Sequence, residues 1–142
     1  MIEQRHLRTV DQHGATAPIT LHIDAGTAQQ TRITAVTAAE TIGPVAGADL
    51  LEPLIEIRRR LEARGLRLCC QAARVNVWAS GQLRQFTSGR QGYVLTETRR
   101  PSPEEPFEVV DFLAPAPAGQ VTSLEEQYRF VYAFHGLQKP PK

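Results

Sequence analysis

The first forty residues alternate between apolar and polar side chains, and this alternation constrains the fold more than any other feature. In the segment 18–24, Ile19, Leu21 and Ile23 occupy every second position, as in a strand with one buried face. Turn-forming residues flank this segment on both sides. The segments 3–10 and 30–37 are predicted as its partner strands. Connections this short predict a three-stranded antiparallel meander.

A helix is predicted over residues 49–64, directly after these strands. Asp49 and Glu52 have the spacing of a capping box, and Gly65 follows where a left-handed residue commonly ends a helix. One apolar stripe repeats at helical spacing: Leu50, Leu54, Ile57 and Leu61. The arginines largely off this stripe are expected on a solvated face: Arg58, Arg59, Arg60 and Arg64.

A second helix is predicted to begin at Ser123, which forms a capping box with Glu126. Its apolar face, expected to close the core rather than to dock a partner, holds Phe130, Val131, Phe134 and Leu137, and Gly136 is expected to end it. Four further strands are predicted at 66–72, 75–79, 93–97 and 107–113. We therefore expect one α+β domain over residues 1–138, with a flexible tail at 139–142. Its antiparallel sheet would have about five to six strands, with two main helices packed on one face.

Composition excludes some classes of protein. The chain has 142 residues, 42% of them hydrophobic, but no run approaches the ~18 to 20 apolar residues of a membrane span. The N-terminus lacks the apolar segment of a secretory signal, so we expect a cytoplasmic protein that does not enter the membrane. Cys69 and Cys70 are adjacent, and strand neighbours point to opposite faces, so both are expected to be reduced. A vicinal redox pair or a metal site is the alternative.

Charge is distributed unevenly along the chain. Residues 58–100 hold ten arginines and two glutamates, whereas the segments before and after are acidic and the whole chain carries only +1. Arginine suits planar, bidentate contact with carboxylate or phosphate. An anionic partner is therefore one hypothesis, and pairing with the acidic flanks of the same chain is the other.

The segment 74–93 concentrates unusual residues in this cationic region. It holds the only tryptophan, three glycines and three arginines, and it is predicted as a strand, a glycine-punctuated loop and a second strand. Arg74, Arg84 and Arg90 could form a basic notch that binds an anion or a phosphate ester. For nucleic acid, Trp78, Phe86 and Tyr93 are stacking candidates, although near-zero net charge and scarce lysine make nucleic acid an unlikely partner.

No reaction is indicated by the sequence. Nucleophile elbows, phosphate loops and paired metal-ligand motifs are absent, and carboxylates are scarce in the 74–93 segment. His6 and His22 could face each other across a hairpin, which would make at best a weak metal site. We therefore expect no catalytic residue, no metal and no cofactor, and binding fits better than catalysis.

Residues from about 55 to 97, together with Glu126 and Gln127 on the last predicted helix, resemble a family of small, mostly uncharacterised bacterial proteins. The family pattern is R-R-x-L-E-x-x-G-x-x-L, a strand, and G-A-R-x-(D/N)-V-x-P-S-G-M-x-R-x-M, and this chain matches it from Arg59 to Leu68 and from Ala72 to Phe86. It departs from the pattern at Ala79, Gln82 and Phe86, which replace a proline and two methionines.

The resemblance suggests an immunity protein that neutralises a cognate bacterial toxin by direct binding. The candidate partner-binding residues are Arg74, Asn76, Trp78, Ser80, Gly81, Arg84 and Arg90. Trp78 and Arg84 are of the types that dominate binding energy at interfaces. A small-molecule or phosphate-binding protein or enzyme that uses the notch, and a nucleic-acid-binding module, are the alternatives. A purely structural role for the segment is the third possibility.

Overall fold

The structure is a computed structural model and describes residues 2–26, 30–96 and 107–135. Its strands are β1 (Ile2–Asp11), β2 (Thr16–Asp24), β3 (Thr31–Val36), β4 (Thr41–Gly47), β5 (Leu66–Leu68), β6 (Val77–Trp78), β7 (Gln91–Val94) and β8 (Val109–Asp111). Its α-helices are α1 (Leu51–Glu62), α2 (Gly81–Phe86) and α3 (Leu124–Phe134). The tail at 139–142 and the predicted helix end at Gly136 lie outside the described residues.

Five strands form one antiparallel sheet in the order β4-β3-β2-β1-β5. The pairs Leu7 with Ile19 and Leu21 with Ala35 place the alternating apolar residues on one face, which packs against α1. The predicted meander is confirmed. Strand β4 was not predicted because Gly43 and Pro44 interrupt its pattern, although Ile42 and Val45 are buried in the same core.

The remaining three strands form a second antiparallel sheet in the order β6-β7-β8. The predicted α+β class is confirmed, and the structure divides the strands between two sheets instead of one. The four strands predicted after the first helix are present but shorter. Strand β5 ends at Leu68 because the chain passes into a single 3₁₀ turn at Gln71–Ala73.

Both predicted helices are present, and Asp49 and Ser123 both accept hydrogen bonds at the helix starts, although α1 begins at Leu51 with Leu50 as its N-cap residue. The Asp49 carboxylate accepts a hydrogen bond from the amide of Glu52 at 3.0 Å, and the Ser123 hydroxyl accepts one from the amide of Glu126 at 3.2 Å. Gly65 follows α1 with a φ of +76°, a left-handed conformation that glycine adopts without a Cβ penalty.

Arg58 does not lie on the solvated face that its sequence position suggested. Its side chain is 1% exposed and lies between α1 and α3. Its guanidinium donates hydrogen bonds to the carbonyls of Ala72 and Thr122 and to Gln127 Oε1, the last at 2.6 Å. Burial of a cation is tolerated only where such acceptors replace water. The prediction was wrong for Arg58, whereas Arg59, Arg60 and Arg64 are exposed.

The apolar face of α3 packs against residues in and next to the second sheet. Val131 joins Leu95 and Phe107 in a small cluster, with Phe130 and Phe134 half-buried around it. The predicted role of this helix in closing the core is therefore supported by the described part of the helix.

Cys69 and Cys70 are both buried and unpaired, as predicted. Burial raises the pKa of the Cys70 thiol to about 11, which keeps it protonated at neutral pH. No helix within the described ranges is long and apolar enough to cross a membrane.

Candidate partner-binding surface around α2

The 74–93 segment folds as strand β6, helix α2, a tight turn and strand β7. A glycine-punctuated loop was expected where α2 lies, and that expectation was wrong. The Ser80 hydroxyl accepts a hydrogen bond from the amide of Leu83 at 3.1 Å, so Ser80 is the N-cap of the helix. Gly81 is the first helical residue, and a Cβ there would meet nothing within 4 Å. Glycine is therefore not required at position 81 to let another part of the chain come close to the backbone.

Arg84 fixes α2 to the start of α1. Its Nε and Nη2 both donate to the Asp49 carboxylate, the second bond being 3.1 Å long. Burial alone would raise the pKa of the Asp49 carboxyl, but hydrogen bonds from Arg84 and from the Glu52 amide outweigh burial and lower that pKa. A planar two-point contact of this kind restricts both position and orientation.

The turn after α2 is also tied to α1. Ser88 has a φ of +54° and Gly89 a φ of +74°, which places two successive residues in the left-handed region. The Ser88 carbonyl accepts a hydrogen bond from the amide of Leu50 at 2.9 Å, and a Cβ on Gly89 would lie 2.7 Å from Asp49 Cγ. The backbone conformation here therefore serves the junction with α1.

The predicted residues that precede α2 are also engaged within the protein. Trp78 packs edge-on against Tyr128, with ring centroids 5.4 Å apart. The Asn76 side chain donates to the Leu95 carbonyl at 3.3 Å, and Arg74 donates to Gln71 Oε1 at 2.8 Å. Trp78 thus fills the space between β6 and α3, which is a structural role.

The predicted basic notch is not assembled. Arg90 pairs with Glu3 at 2.9 Å, and Glu3 in turn contacts Arg5. Arg84 lines a cleft of about 410 Å³ beside Tyr128, while Arg74 lines a different cleft, of about 560 Å³. The three guanidiniums of the notch therefore have three separate sets of neighbours.

Most of the arginines that the structure describes in the cationic segment pair with carboxylates of the same chain. Of the eight arginines described between positions 58 and 96, seven have a guanidinium nitrogen within 4 Å of a carboxylate oxygen. Most of the carboxylates belong to the acidic flanks, as in Arg64 with Glu40 and Arg67 with Glu126. Internal pairing, the second of the two hypotheses for this charge, is the one the geometry favours.

What remains exposed on α2 is its outer face. None of the residues of α2 is buried. Phe86 is 78% exposed, more than any other large hydrophobic residue that the structure describes. We call the exposed residues of this helix the α2 surface: Gly81, Gln82, Gln85 and Phe86. Single exposed apolar residues are common on proteins, and Phe86 is the one on α2, a helix in which no residue is buried.

Phe86 was considered only as a stacking candidate for nucleic acid and was missing from the predicted partner-binding residues. Helical spacing from Leu83 would put both side chains on one stripe, yet Leu83 is half-buried and Phe86 is not. The exposure of Phe86 follows from where α2 is anchored, which no local pattern reports.

No site for a metal ion is formed by the residues that the structure describes, since no three His, Cys, Asp or Glu side chains cluster among them. His6 lies opposite Thr20, and His22 lies opposite Gln4, so the two histidines are not direct neighbours in the hairpin. The hydrogen bond between His6 Nδ1 and Thr20 Oγ1 is 3.2 Å long.

No protein-family model matches this chain, and no curated protein matches its sequence. The family resemblance of residues 55–97 and of the last helix accordingly stays a prediction.

Proposed function

We propose that this protein acts by binding a partner protein through the α2 surface, and that its role is to neutralise a bacterial toxin in the cytoplasm. The exposure of Phe86 on a helix whose ends are fixed is the observation that carries the proposal. Aromatic residues, phenylalanine among them, are enriched at protein interfaces relative to the rest of the surface. The toxin itself is inferred from the family resemblance, which the α2 surface supports only by being suited to protein binding.

The ion pairs of the arginines count against the two alternatives. A phosphate-binding notch would need guanidinium groups that face a common ligand, but Arg84 and Arg90 each face a carboxylate of the same chain. Binding of nucleic acid would use the same groups on phosphates and would require these pairs to break. A partner protein that contacts the uncharged α2 surface requires no such rearrangement.

The test is to express this protein in a bacterial host together with the product of the gene that lies next to its own gene. If that product is toxic, this protein should restore growth and should co-purify with it as a complex of defined stoichiometry. A standard interface covers ~800 Å² on each partner, which a domain of this size can supply. Continued toxicity with no complex would refute the proposal.

A fluorescence thermal-shift screen with phosphate-bearing small molecules addresses the leading alternative. We expect no shift in the melting temperature with any of them. A shift that Arg74→Ala abolishes would favour the cleft beside Arg74 as a ligand site instead.

A further inference from the structure

The edge of β1 that faces away from β2 is paired with β5 over only part of its length. Strand β5 pairs with residues 9–11 of β1, and the Cys69 amide then donates to the Arg8 carbonyl at 2.9 Å. Beyond this bond the chain turns away from β1, since the Cys69 carbonyl accepts from the amide of Ala116. Among the strands that the structure describes, none pairs with residues 2–7 of β1 on this side.

The register shows which backbone groups point out of this edge. In an antiparallel strand the N–H and C=O of one residue point to the same side, and the side alternates from residue to residue. Because Arg8 bonds toward the β5 side, the backbone groups of His6 and Gln4 also point away from β2. Pro18, which has no N–H, lies opposite Arg8 in β2, in agreement with this alternation. His6 and Gln4 are both exposed, so the edge is a template for one further strand.

The opposite edge of the same sheet, β4, carries the devices that prevent such pairing. Pro44 lies within β4 and cannot donate a hydrogen bond, and the pairing of β3 with β4 shifts register between Ile33 and Ala35. Proline and bulges are common protections of edge strands. Residues 2–7 of β1 contain no proline and keep an unbroken register with β2. A cleft of about 490 Å³, lined in part by His6, leaves room beside this edge.

The charges on β1 select one way of pairing two copies of this edge. Residues whose backbone groups point outward must face each other, so a two-fold axis can lie at Glu3, at Gln4 or at Arg5. With the axis at Gln4, Glu3 of each copy lies opposite Arg5 of the other. An axis at Glu3 or at Arg5 would put like charges opposite each other, which is unfavourable. Both side chains are about one-third exposed beside their mutual contact of 2.6 Å, so each can take a second ionic partner.

From this edge and its charges we infer that the protein forms a two-fold dimer, in which the free edge of β1 pairs antiparallel with the same edge of a second copy, centred on Gln4. The two five-stranded sheets then become one continuous sheet. Ile2 of each copy, 61% exposed in the single chain, lies opposite His6 of the other. Pairing over so short an edge covers less than the standard ~800 Å² per partner, so the dimer is weak. It uses no residue of the α2 surface and does not rest on the proposed function.

Sedimentation equilibrium of the purified protein at ~10 μM to ~1 mM tests the dimer, and we expect wild type to pass from mainly monomer to mainly dimer. Gln4→Pro removes an outward N–H without removing a hydrogen bond to β2, so it should stay monomeric throughout. Gln4→Ala keeps this N–H and is the matched control, which should dimerise as wild type does. Thermal unfolding checks that Gln4→Pro keeps the fold. A monomeric wild type, or a Gln4→Pro variant that dimerises equally well, overturns the inference.

A disulfide cross-link tests the register independently of the proline variant. In the inferred dimer the two copies of residue 4 form a hydrogen-bonded pair with Cα atoms ~5.5 Å apart, which is within the range of a disulfide. Gln4→Cys should therefore give mostly covalent dimer under mild oxidation, whereas Gln12→Cys, exposed beyond the far end of β1, should not. Cys69 and Cys70 are buried and should not contribute. Equal cross-linking of the two variants, or none in Gln4→Cys, overturns the inference.

Discussion

Replacing Gln127 by leucine tests whether one buried amide holds α3 to the rest of the protein. Gln127 is completely buried, and its Nε2 lies 2.7 to 2.9 Å from the carbonyl oxygens of Ala72, Arg74 and Val77, which share its two hydrogens. Its Oε1 accepts the 2.6 Å hydrogen bond from Arg58. Leucine has similar volume, so the substitution removes these hydrogen bonds without leaving a large cavity.

The expected loss can be worked from these contacts. A buried carbonyl that loses its donor costs about 1–3 kcal/mol, and this applies to Val77, because Ala72 would keep its bond from Arg58 and Arg74 its bond from the Val77 amide. The loss of a hydrogen bond to the buried Arg58 guanidinium costs about 1.5–3 kcal/mol. The greater apolar burial of leucine offsets about 1 kcal/mol. We therefore expect Gln127→Leu to lower the free energy of unfolding by about 3 kcal/mol, a large share of the 5–15 kcal/mol typical of a domain.

Urea denaturation followed by tryptophan fluorescence measures this change, because Trp78 packs against Tyr128 on α3. With an m-value of about 2 kcal/mol/M, the midpoint should fall by about 1.5 M. Gln120→Leu is the matched control, since Gln120 is exposed, and it should change stability by less than about 0.5 kcal/mol. A midpoint shift for Gln127→Leu no larger than that of Gln120→Leu would refute the reasoning.

Three further predictions concern other contacts. Gly92→Ala should destabilise the protein by about 1–3 kcal/mol in chemical denaturation, because the added Cβ would overlap the ring of Phe112, whereas Gly119→Ala, with nothing within 4 Å, should be close to neutral. Equal effects of the two substitutions would contradict this. In the native protein neither cysteine should react rapidly with Ellman's reagent at pH 8, and both should react in urea, since burial raises the pKa of each thiol; fast labelling of the folded protein would contradict the buried placement. The folded state lowers the pKa of Asp49, so its contribution to stability is present above the ordinary aspartate pKa of about 3.9 and is lost as the pH falls through the lower, folded value. Asp49→Asn should therefore show a shallower loss of stability in acid than wild type, and an unchanged slope would argue against the pair with Arg84.

The features predicted correctly from the sequence are those set within a few residues. The alternation of Ile19, Leu21 and Ile23 correctly predicted a strand. Ser123 correctly predicted the start of a helix, because a capping side chain and the amide that it binds lie three residues apart. The end of α1 at Gly65, which has a positive φ, could likewise be predicted from the local sequence. Such patterns need no information about the rest of the chain.

The features that were missed depend on residues far apart in the sequence. Arg58 is buried because Gln127, 69 positions later, offers an acceptor, and no helical pattern around Arg58 contains that fact. Helix α2 was missed because Gly81 and its two glutamines resemble a loop, and the arginine that anchors it contacts a carboxylate 35 positions earlier. The predicted candidate-site residues are spread over the segment 74–90. The exposed α2 surface comes only from the middle of that segment.

The pairing of the arginines determines how mutations in this region should be interpreted. The sequence shows ten arginines in one segment and acidic residues in its flanks, but only the fold brings Glu3, Glu40 and Asp49 against Arg90, Arg64 and Arg84. Replacing Arg84 would release α2 from α1, and any loss of binding would then follow from the displacement of Phe86. A loss of binding on Phe86→Ala, with α2 still anchored, reports the contact itself. The exposed aromatic side chain therefore provides a more direct test of the binding surface than any of these paired arginines.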